Sequence, residues 1–197
     1  MSWWYPVDVP LILASGSPRR RAILEMAGIP FVQVPGSVAE EDLEGDPGSV
    51  VRHWAAMKAD SVSEAHPASP VLGADTMVSL DGRLLGKPSS PEEAARTLGR
   101  LSGRWHTVWG GVALVWTSRG IRFEFAERTE VRFRELPEEE IRAYVDTGEP
   151  MDKAGAYGIQ GIGSMLVERV EGCYFNVMGL PVARFVSEFR RAVREGS

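Results

Sequence analysis

The spacing of apolar residues along this chain alternates between the two-residue period of strands and the 3.6-residue period of helices. The clearest strand pattern places apolar Ile121 and Phe125 in alternation with charged Arg122 and Glu124. The predicted strands are 11–13, 31–34, 71–78, 84–85, 107–116, 121–134 and 164–170. The predicted helices are 18–27, 47–65, 91–102, 137–145 and 181–194. This order predicts an α/β or α+β fold, with long antiparallel strands and helices on their faces.

Turn and capping residues separate the predicted elements. Asp81 and Gly82 are a two-residue hairpin signal between two apolar runs. Ser90 precedes Pro91 and is followed three residues later by Glu93, which is the pattern of a capping box with proline at the first helical position. We therefore expect a hairpin in the middle of the chain and a helix directly after it.

Length and composition limit the class of protein. A chain of 197 residues can bury a full core, and we expect one domain over 11–194 after a tail, 1–10. The net charge of −5 argues against general binding to nucleic acid or to an anionic membrane. The single cysteine, Cys173, allows no internal disulfide, no apolar run reaches transmembrane length, and the first residues lack a signal-peptide pattern. These features predict a cytoplasmic protein without membrane contact.

The segment LILASGSPRRRAIL, residues 11–24, joins a short strand to a helix start rich in arginine. Ser17 suits the N-cap and Pro18 the first helical position, so the arginines fall in the first helical turn. Positive charge is unfavourable at that end of the helix dipole unless an anion lies among the arginines. The segment therefore predicts a phosphate site, and the alternative is a solvated basic turn. The candidate contacts are Ser15, Ser17, Arg19, Arg20 and Arg21.

Asp75 stands inside an apolar strand, VLGADTMV. Burying a carboxylate there is costly unless it is paired, hydrogen-bonded or bound to a metal, although an aspartate at a strand end that caps a turn is common. Gly73 permits close approach by another backbone or by a ligand. Glu40, in an acidic loop, becomes a candidate partner because two carboxylates with substrate phosphate oxygens commonly hold Mg²⁺. On its own, Glu40 is a solvated loop charge.

Two lysines are candidates for contact with an anionic substrate. Lys58 falls on the apolar stripe of its helix, four residues from both Trp54 and Val62. Its ammonium therefore either extends to the surface or points into a cleft. Lys87 precedes Pro88, which favours an extended backbone and a defined position for the ammonium, although the alternative is an ordinary loop lysine.

The segment DKAGAYGIQG, residues 152–161, has three glycines and two alanines around Lys153, Tyr157 and Gln160. Small residues let the backbone approach a ligand closely. A glutamine amide both donates and accepts, so it matches the imide edge of uracil or thymine. Thr76 offers a further hydroxyl beside the strand carboxylate. The alternative for the segment is a tight connector.

Other residue types that often carry chemistry give no usable pattern. The three histidines, His53, His66 and His106, share no metal-ligand spacing, and we interpret them as structural or surface residues. No arrangement supports a serine–histidine–aspartate site. Cys173 is interpreted as a packed small side chain.

Several segments together resemble the Maf family of nucleotide pyrophosphatases, and they occur in the family's order from Leu11 almost to the end of the chain. They are LILASGSPRR, VLGADT, the GKP around Lys87, SGRWHTVWGGVAL, DKAGAYGIQG and GCYFNVMGLP. The form DKAGAYGIQG resembles the subfamily that hydrolyses dTTP and UTP, not the 7-methyl-GTP subfamily. The chain departs from the family at Gly110, where threonine is usual, and at Ala39, where an acidic residue is usual.

The resemblance implies an inosine triphosphatase-like fold, Maf/Ham-like, in which an elongated, strongly curved mixed sheet and its helices form two lobes with a nucleotide cleft. It implies hydrolysis of a nucleoside triphosphate to monophosphate and pyrophosphate with Mg²⁺ or Mn²⁺, and a homodimer. It also implies a house-cleaning role in the nucleotide pool, including modified pyrimidine nucleotides, and a link to septum formation and division arrest.

The resemblance also implies roles for individual residues. Asp75 corresponds to the catalytic aspartate. The specificity positions fall on Arg19, Thr76 and Gln160. The phosphate- and metal-associated positions fall on Ser15, Arg20, Glu40, Lys58 and Lys87. Asp75 and Glu40 are the candidate metal ligands. Lys153 is a further candidate substrate contact.

Two other functions fit the same segments. One is a nucleotide-binding regulatory protein of septum formation, which needs the cationic cluster but not Asp75 and Glu40. The other is an inosine/xanthosine triphosphatase, which prefers purines. A panel of nucleotides with pyrophosphate detection separates the three.

Overall fold

The computed structural model describes residues 4–38 and 45–196. The strands are β1 Leu11–Leu13, β2 Phe31–Gln33, β3 Val71–Leu80, β4 Arg83–Leu85, β5 Trp105–Trp116, β6 Ile121–Phe133 and β7 Val167–Glu171. The α-helices are α1 Pro18–Met26, α2 Pro47–Ser63, α3 Pro91–Leu101, α4 Glu138–Asp146, α5 Tyr174–Met178 and α6 Val182–Glu195. Within these ranges, no helix combines the length and apolar composition needed to cross a bilayer.

In the part of the chain that the structure describes, the strands form a seven-stranded mixed sheet. Hydrogen bonding follows the order β2-β1-β3-β5-β6-β7, and β4 pairs with β3 outside this path. β1 is parallel to β2 and β3, whereas the pairs β3–β4 and β6–β7 are antiparallel. The parallel pairs follow from the helices between successive strands, since parallel neighbours need a long crossover connection. The prediction of a mixed α/β fold is confirmed.

The chain divides into two compact units. The first contains Met1–Asp75, Gly110–Glu127 and Gly179–Ser197, and the second contains Thr76–Trp109 and Arg128–Met178. The boundaries fall inside β3, β5 and β6, so each of these strands contributes residues to both units.

In the first unit, α2 packs directly on the sheet because glycines face it. A Cβ atom added at Gly73 would lie 2.0 Å from the carbonyl oxygen of Ala55, and one added at Gly111 would lie 1.9 Å from that of Val51. The predicted close backbone approach at Gly73 is thus confirmed, and the neighbour is a helix. The small and branched side chains packed around this contact are Ile12, Ala14, Ala55, Ala59, Val62, Val71, Ala113 and Val115.

The core of the second unit surrounds a buried histidine. His106 is 2% exposed, its Nε2 is hydrogen-bonded to the Tyr157 hydroxyl at 2.8 Å, and its ring meets Phe133 edge-on. Burial lowers the pKa of His106 to about 4, against a smaller opposing effect of the Arg104 backbone. The interpretation of this histidine as structural therefore agrees with a neutral ring at physiological pH. The core cluster of this unit includes the large buried side chains of Leu98, Leu101, Phe133 and Leu136.

The predicted local signals are mostly confirmed. Asp81 and Gly82 have positive φ values of 52° and 75°, as a type I′ hairpin turn requires. The Ser90 hydroxyl accepts the Glu93 N–H at 3.2 Å. The Glu93 carboxylate, however, accepts from the N–H and hydroxyl of Ser89, one residue earlier than a capping box places it.

Two predictions near the end of the chain are wrong. The strand predicted at 164–170 begins at Val167, because Gly161–Leu166 forms a 3₁₀ helix. Within this 3₁₀ helix Ile162 and Met165 are exposed, whereas Leu166 is buried in the core of the second unit. The helix Tyr174–Met178 is present where no element was predicted.

Candidate active site

The turn between β1 and α1 fixes an arginine beside a serine. The Ser17 hydroxyl caps α1 by accepting the Arg20 N–H, as predicted. Arg20 is only 8% exposed, and its Nη1 donates to the Ser15 hydroxyl at 2.8 Å. Its Nε donates to the Gly179 carbonyl at 3.0 Å, and the Gln33 side chain donates to the Ser15 carbonyl at 2.7 Å. The positions of Ser15 and Arg20 are therefore fixed relative to each other.

The three arginines of the first helical turn do not share one environment. Arg19 is half-buried and Arg20 is buried. Arg21 instead forms an exposed ion pair with Glu25 at 2.7 Å, one turn further along α1. Arg21 therefore does not belong to the arginine cluster that the sequence predicts. Its exposed ion pair contributes little to stability.

Asp75 and Lys58 form a buried ion pair. The Lys58 ammonium lies 2.7 Å from Asp75 Oδ1, and the two side chains are 13% and 9% exposed. Asp75 is not at a strand end, because β3 continues to Leu80. The structure thus decides between the two orientations of Lys58, whose ammonium points to Asp75 and not to the surface. Each charge compensates the other, which burial requires.

The position of this pair follows from the glycine contact beneath α2. Gly73 lies two residues before Asp75 on β3, and Ala55 lies three residues before Lys58 on α2. Because the helix backbone touches the strand at this point, the next helical turn brings Lys58 over Asp75. The contact between Lys58 and Asp75 therefore depends on the small residues next to them.

In the second unit, the loop that carries Gln160 packs on the segments of Thr76 and Lys87. The Gly155 N–H donates to the Gly86 carbonyl at 3.1 Å. A Cβ added at Gly155 would lie 3.0 Å from the Val78 side chain, which is two residues after Thr76 on β3. Three predicted segments that are distant in sequence are therefore adjacent within this unit.

The four predicted residues of the second unit differ in their exposure and contacts. Thr76 and Gln160 are half-buried, and Lys87 is exposed. The Lys153 ammonium is bound within the chain, since it donates to the Asp152 carboxylate at 2.6 Å and to the Glu149 carbonyl. By contrast, the Gln160 side chain makes no hydrogen bond to any residue in 4–38 or 45–196.

A divalent cation could be held by few side chains in the described ranges. These ranges contain no group of three or more histidine, cysteine, aspartate or glutamate residues able to hold a metal ion. Glu40 lies outside the described residues, so its predicted role stays a prediction. Asp75 supplies a carboxylate, and Mg²⁺ at a phosphate site commonly needs only one or two carboxylates, with phosphate oxygens and water as its other ligands. The donor set at Asp75 therefore fits such an ion.

Some contacts of the site could not be found from the sequence. The Gly179 carbonyl that fixes Arg20 lies 159 residues further along the chain. A backbone oxygen has no residue-type signature, so the residue type at 179 is the one available signal of an unusual backbone conformation. Gly179 has a φ of 130°, in the region that favours glycine.

The architecture defines a mixed α/β protein with a buried aspartate–lysine pair and a serine–arginine pair at a helix start. The solved structure of a HAM1 protein from Coxiella burnetii has the same fold, with a TM-score of 0.55 and 16% identity, covering 94% of this chain and 100% of that chain. The Maf-like protein family model matches residues 10–192, and the chain belongs to this family.

Named relatives cover nearly the whole chain. A dTTP/UTP pyrophosphatase of Bacillus cytotoxicus is 50% identical over 181 residues, which cover 91% of this chain and 94% of that protein. A dTTP/UTP pyrophosphatase of Bacillus mycoides is 49% identical over 182 residues, covering 92% and 94%. The resemblance drawn from the sequence segments is confirmed, and so is the expected HAM1-like fold.

Proposed function

We propose that this protein hydrolyses dTTP and UTP to the nucleoside monophosphate and pyrophosphate. The main observation behind the proposal is the buried Asp75 carboxylate, which lies 2.7 Å from the Lys58 ammonium inside a largely buried strand. A protein that only binds nucleotide has no need of such a costly buried carboxylate. The proposal is further supported by family membership and by the named relatives at about half identity.

In this proposal the cationic residues bind the triphosphate. Arg20 is restrained by the Ser15 hydroxyl and the Gly179 carbonyl, so its guanidinium loses little further freedom when it binds an anion. The α1 N-terminus adds backbone donors and the favourable end of the helix dipole. The proposed phosphate contacts are Ser15, Arg19, Arg20, Lys58 and Lys87.

Asp75 is the proposed catalytic residue. Its carboxylate orients the attacking water and accepts a proton as the water oxygen bonds to the α-phosphorus. The bond from that phosphorus to the bridging oxygen then breaks, and pyrophosphate leaves with the bonding electrons. Lys58, beside Asp75, stabilises the charge that develops on the phosphate oxygens. Mg²⁺ or Mn²⁺, held by Asp75 and Glu40 when bound, supplies Lewis-acid polarisation of the phosphate.

Gln160 is the central residue of the proposed base recognition. Gln160 has an amide that makes no hydrogen bond within the described ranges, so it can donate to a uracil or thymine carbonyl and accept from the ring N–H. Arg19 and Thr76 are the other proposed specificity residues. Lys153, whose ammonium is restrained by Asp152, is a further proposed substrate contact in the same loop.

The decisive experiment combines a nucleotide panel with a carboxylate variant. Pyrophosphate release is measured for UTP, dTTP, CTP, ATP, ITP and XTP with Mg²⁺ or Mn²⁺. We expect UTP and dTTP to be the preferred substrates, and Asp75→Asn to lose at least about a thousandfold in kcat, the scale of removing a group that acts in the transition state. Asp81→Asn, at an exposed aspartate of the hairpin, is the matched control and should retain activity.

Each alternative predicts a different outcome. Preference for ITP or XTP would assign the chain to purine triphosphate hydrolysis. Nucleotide binding without pyrophosphate release would indicate a regulatory binding protein. Wild-type turnover by a folded Asp75→Asn variant, checked by circular dichroism, would remove Asp75 from the mechanism. The family resemblance also supports a single domain over 11–194 and a homodimer, and sedimentation velocity would test the dimer.

A further inference from the structure

A single carboxylate gathers the backbone around Gln160. Glu149 Oε1 accepts the Tyr144 hydroxyl at 2.9 Å and the Gly163 N–H at 3.1 Å. Its Oε2 accepts the Ile162 N–H at 3.2 Å. A carboxylate that accepts several hydrogen bonds restrains its donors more strongly than neutral acceptors do. The two backbone donors lie immediately after Gln160 and Gly161.

The other side of Gln160 is fixed through the same tyrosine. The Tyr144 hydroxyl oxygen accepts the Gly158 N–H at 3.2 Å, and Gly158 is buried. Tyr144 therefore bridges the backbone before Gln160 to the carboxylate that binds the backbone after it. Burial is the main cause that raises the pKa of Tyr144, so its hydroxyl keeps the proton that it donates to Glu149.

In this arrangement Glu149 caps the helix that follows Gln160, which is normally done by the side chain of the N-cap residue itself. Gln160 is the N-cap residue of the 3₁₀ helix Gly161–Leu166, and its side chain makes no capping hydrogen bond. The first N–H groups of a helix need an acceptor, which a capping side chain normally supplies. Here Glu149 accepts the N–H groups of Ile162 and Gly163 instead. The amide of Gln160 is left available for a ligand.

The glycines of this loop make the close packing around Glu149 possible. Gly161 has a φ of 66°, and a Cβ added there would lie 2.9 Å from Glu149 Oε2. A Cβ at Gly163 would lie 2.6 Å from the Tyr144 hydroxyl and 2.1 Å from the Gly158 carbonyl. The loop is thus built to close tightly on the carboxylate and the hydroxyl, which limits the positions that Gln160 can adopt.

We infer that Glu149, with Tyr144, is a positioning residue for base selection: it caps the helix after Gln160 so that the Gln160 amide is presented to the pyrimidine. The inference rests on the proposed function and adds a determinant of its specificity. Neither Glu149 nor Tyr144 takes part in the phosphate chemistry at Asp75. Their loss should therefore affect how well the base is bound and not the rate of bond cleavage.

The test uses Glu149→Gln, which keeps the shape of the side chain but replaces one acceptor oxygen by a donor amide. That amide would face a hydrogen-bond donor in either orientation. We expect the ratio of kcat/KM for UTP to that for ATP to fall about tenfold, the equivalent of roughly 1.4 kcal/mol. The loss should appear as a raised KM for UTP with kcat nearly unchanged, as removal of uniform binding predicts.

A double-mutant cycle separates positioning from general destabilisation. If Glu149 acts through Gln160, then Glu149→Gln should lower the UTP/ATP ratio in the wild-type background but not in a Gln160→Ala background. Glu139→Gln, at an exposed glutamate of α4, is the matched control and should leave the ratio unchanged. Tyr144→Phe, which removes the bridging hydroxyl alone, should move the ratio in the same direction and serves if Glu149→Gln does not fold.

The outcomes distinguish this inference from the function on which it rests. A wild-type protein without pyrimidine preference overturns both. A wild-type protein with that preference, combined with an unchanged UTP/ATP ratio in Glu149→Gln and Tyr144→Phe, overturns the positioning role alone. An equal fall in the ratio in the wild-type and Gln160→Ala backgrounds also overturns it, because the effect would not pass through Gln160.

Discussion

Replacing Gly73 by alanine tests how closely the fold and the aspartate–lysine pair depend on one glycine. The added Cβ would lie 2.0 Å from the Ala55 carbonyl oxygen, whereas real Cβ contacts essentially never fall below 3.0 Å. The helix backbone must therefore retreat by at least about 1 Å. Overpacking of this kind costs roughly 1–3 kcal/mol. Because the clash is with main-chain atoms that no rotamer change can relieve, we expect about 3 kcal/mol.

The effect can be measured by thermal unfolding and by kinetics on the same sample. For a chain of this length each kcal/mol lowers Tm by roughly 2–4 °C, so Gly73→Ala should lower Tm by about 6–12 °C. The same displacement carries Lys58 away from Asp75, since Lys58 follows Ala55 by one helical turn. Pyrophosphate release should therefore fall even at temperatures where the variant is fully folded.

The same substitution at another glycine provides the control. Gly99 lies on the exposed face of α3, and nothing lies within 4 Å of a Cβ added there. Alanine is favoured over glycine inside a helix by up to roughly 1 kcal/mol, so Gly99→Ala should leave Tm unchanged or raise it by up to about 2–4 °C. Equal Tm values for Gly73→Ala and the wild type would refute the argument that α2 is in backbone contact with β3.

Two further predictions concern charged and titratable groups in the core. Burial holds the pKa of His106 at about 4, below its ordinary 6.5, so its stabilising contribution is complete above pH 6.5 and is lost as the pH falls towards 4. The difference between the two pKa values corresponds to roughly 3 kcal/mol in the free energy of unfolding. Urea unfolding at several pH values should show this loss in the wild type but not in His106→Gln. Lys58→Met leaves the Asp75 carboxylate buried without its ammonium and should cost about 3 kcal/mol, whereas Lys87→Met, at an exposed lysine, should change stability by less than about 0.5 kcal/mol. Equal losses for the two lysines in the same urea titrations would contradict the assignment of the buried pair.

The alternation of apolar and polar residues was sufficient to predict most elements, because it reflects which side of each element is buried. It failed at 164–166, which were predicted to begin a strand but belong to the 3₁₀ helix Gly161–Leu166, with Met165 exposed and Leu166 buried. The conformation there depends on the Glu149 carboxylate, which binds the segment from more than ten residues away. A contact at that separation leaves no periodic signal in the sequence.

The candidate site was predictable as a set of residue types but not as a geometry. The cost of burying Asp75 predicted that it must have a partner, and the stripe of α2 brought Lys58 into consideration, yet nothing in the spacing paired the two. The arginines of α1 show that residue type alone can also predict too much. The dipole argument applied equally to all three, but Arg21 forms an ion pair with Glu25. The role of Glu40 stays a prediction, since it lies outside the described residues.

The bond from Arg20 to the Gly179 carbonyl has a consequence for synthesis of the chain. Translation produces Arg20 early and the oxygen that restrains it 159 residues later. A nascent polypeptide that has not reached Gly179 therefore carries a guanidinium lacking that acceptor, however well its first strands have formed. The restraint on which the proposed phosphate contact of Arg20 depends is therefore a late event of biogenesis, and premature termination anywhere before Gly179 should yield products that lack it.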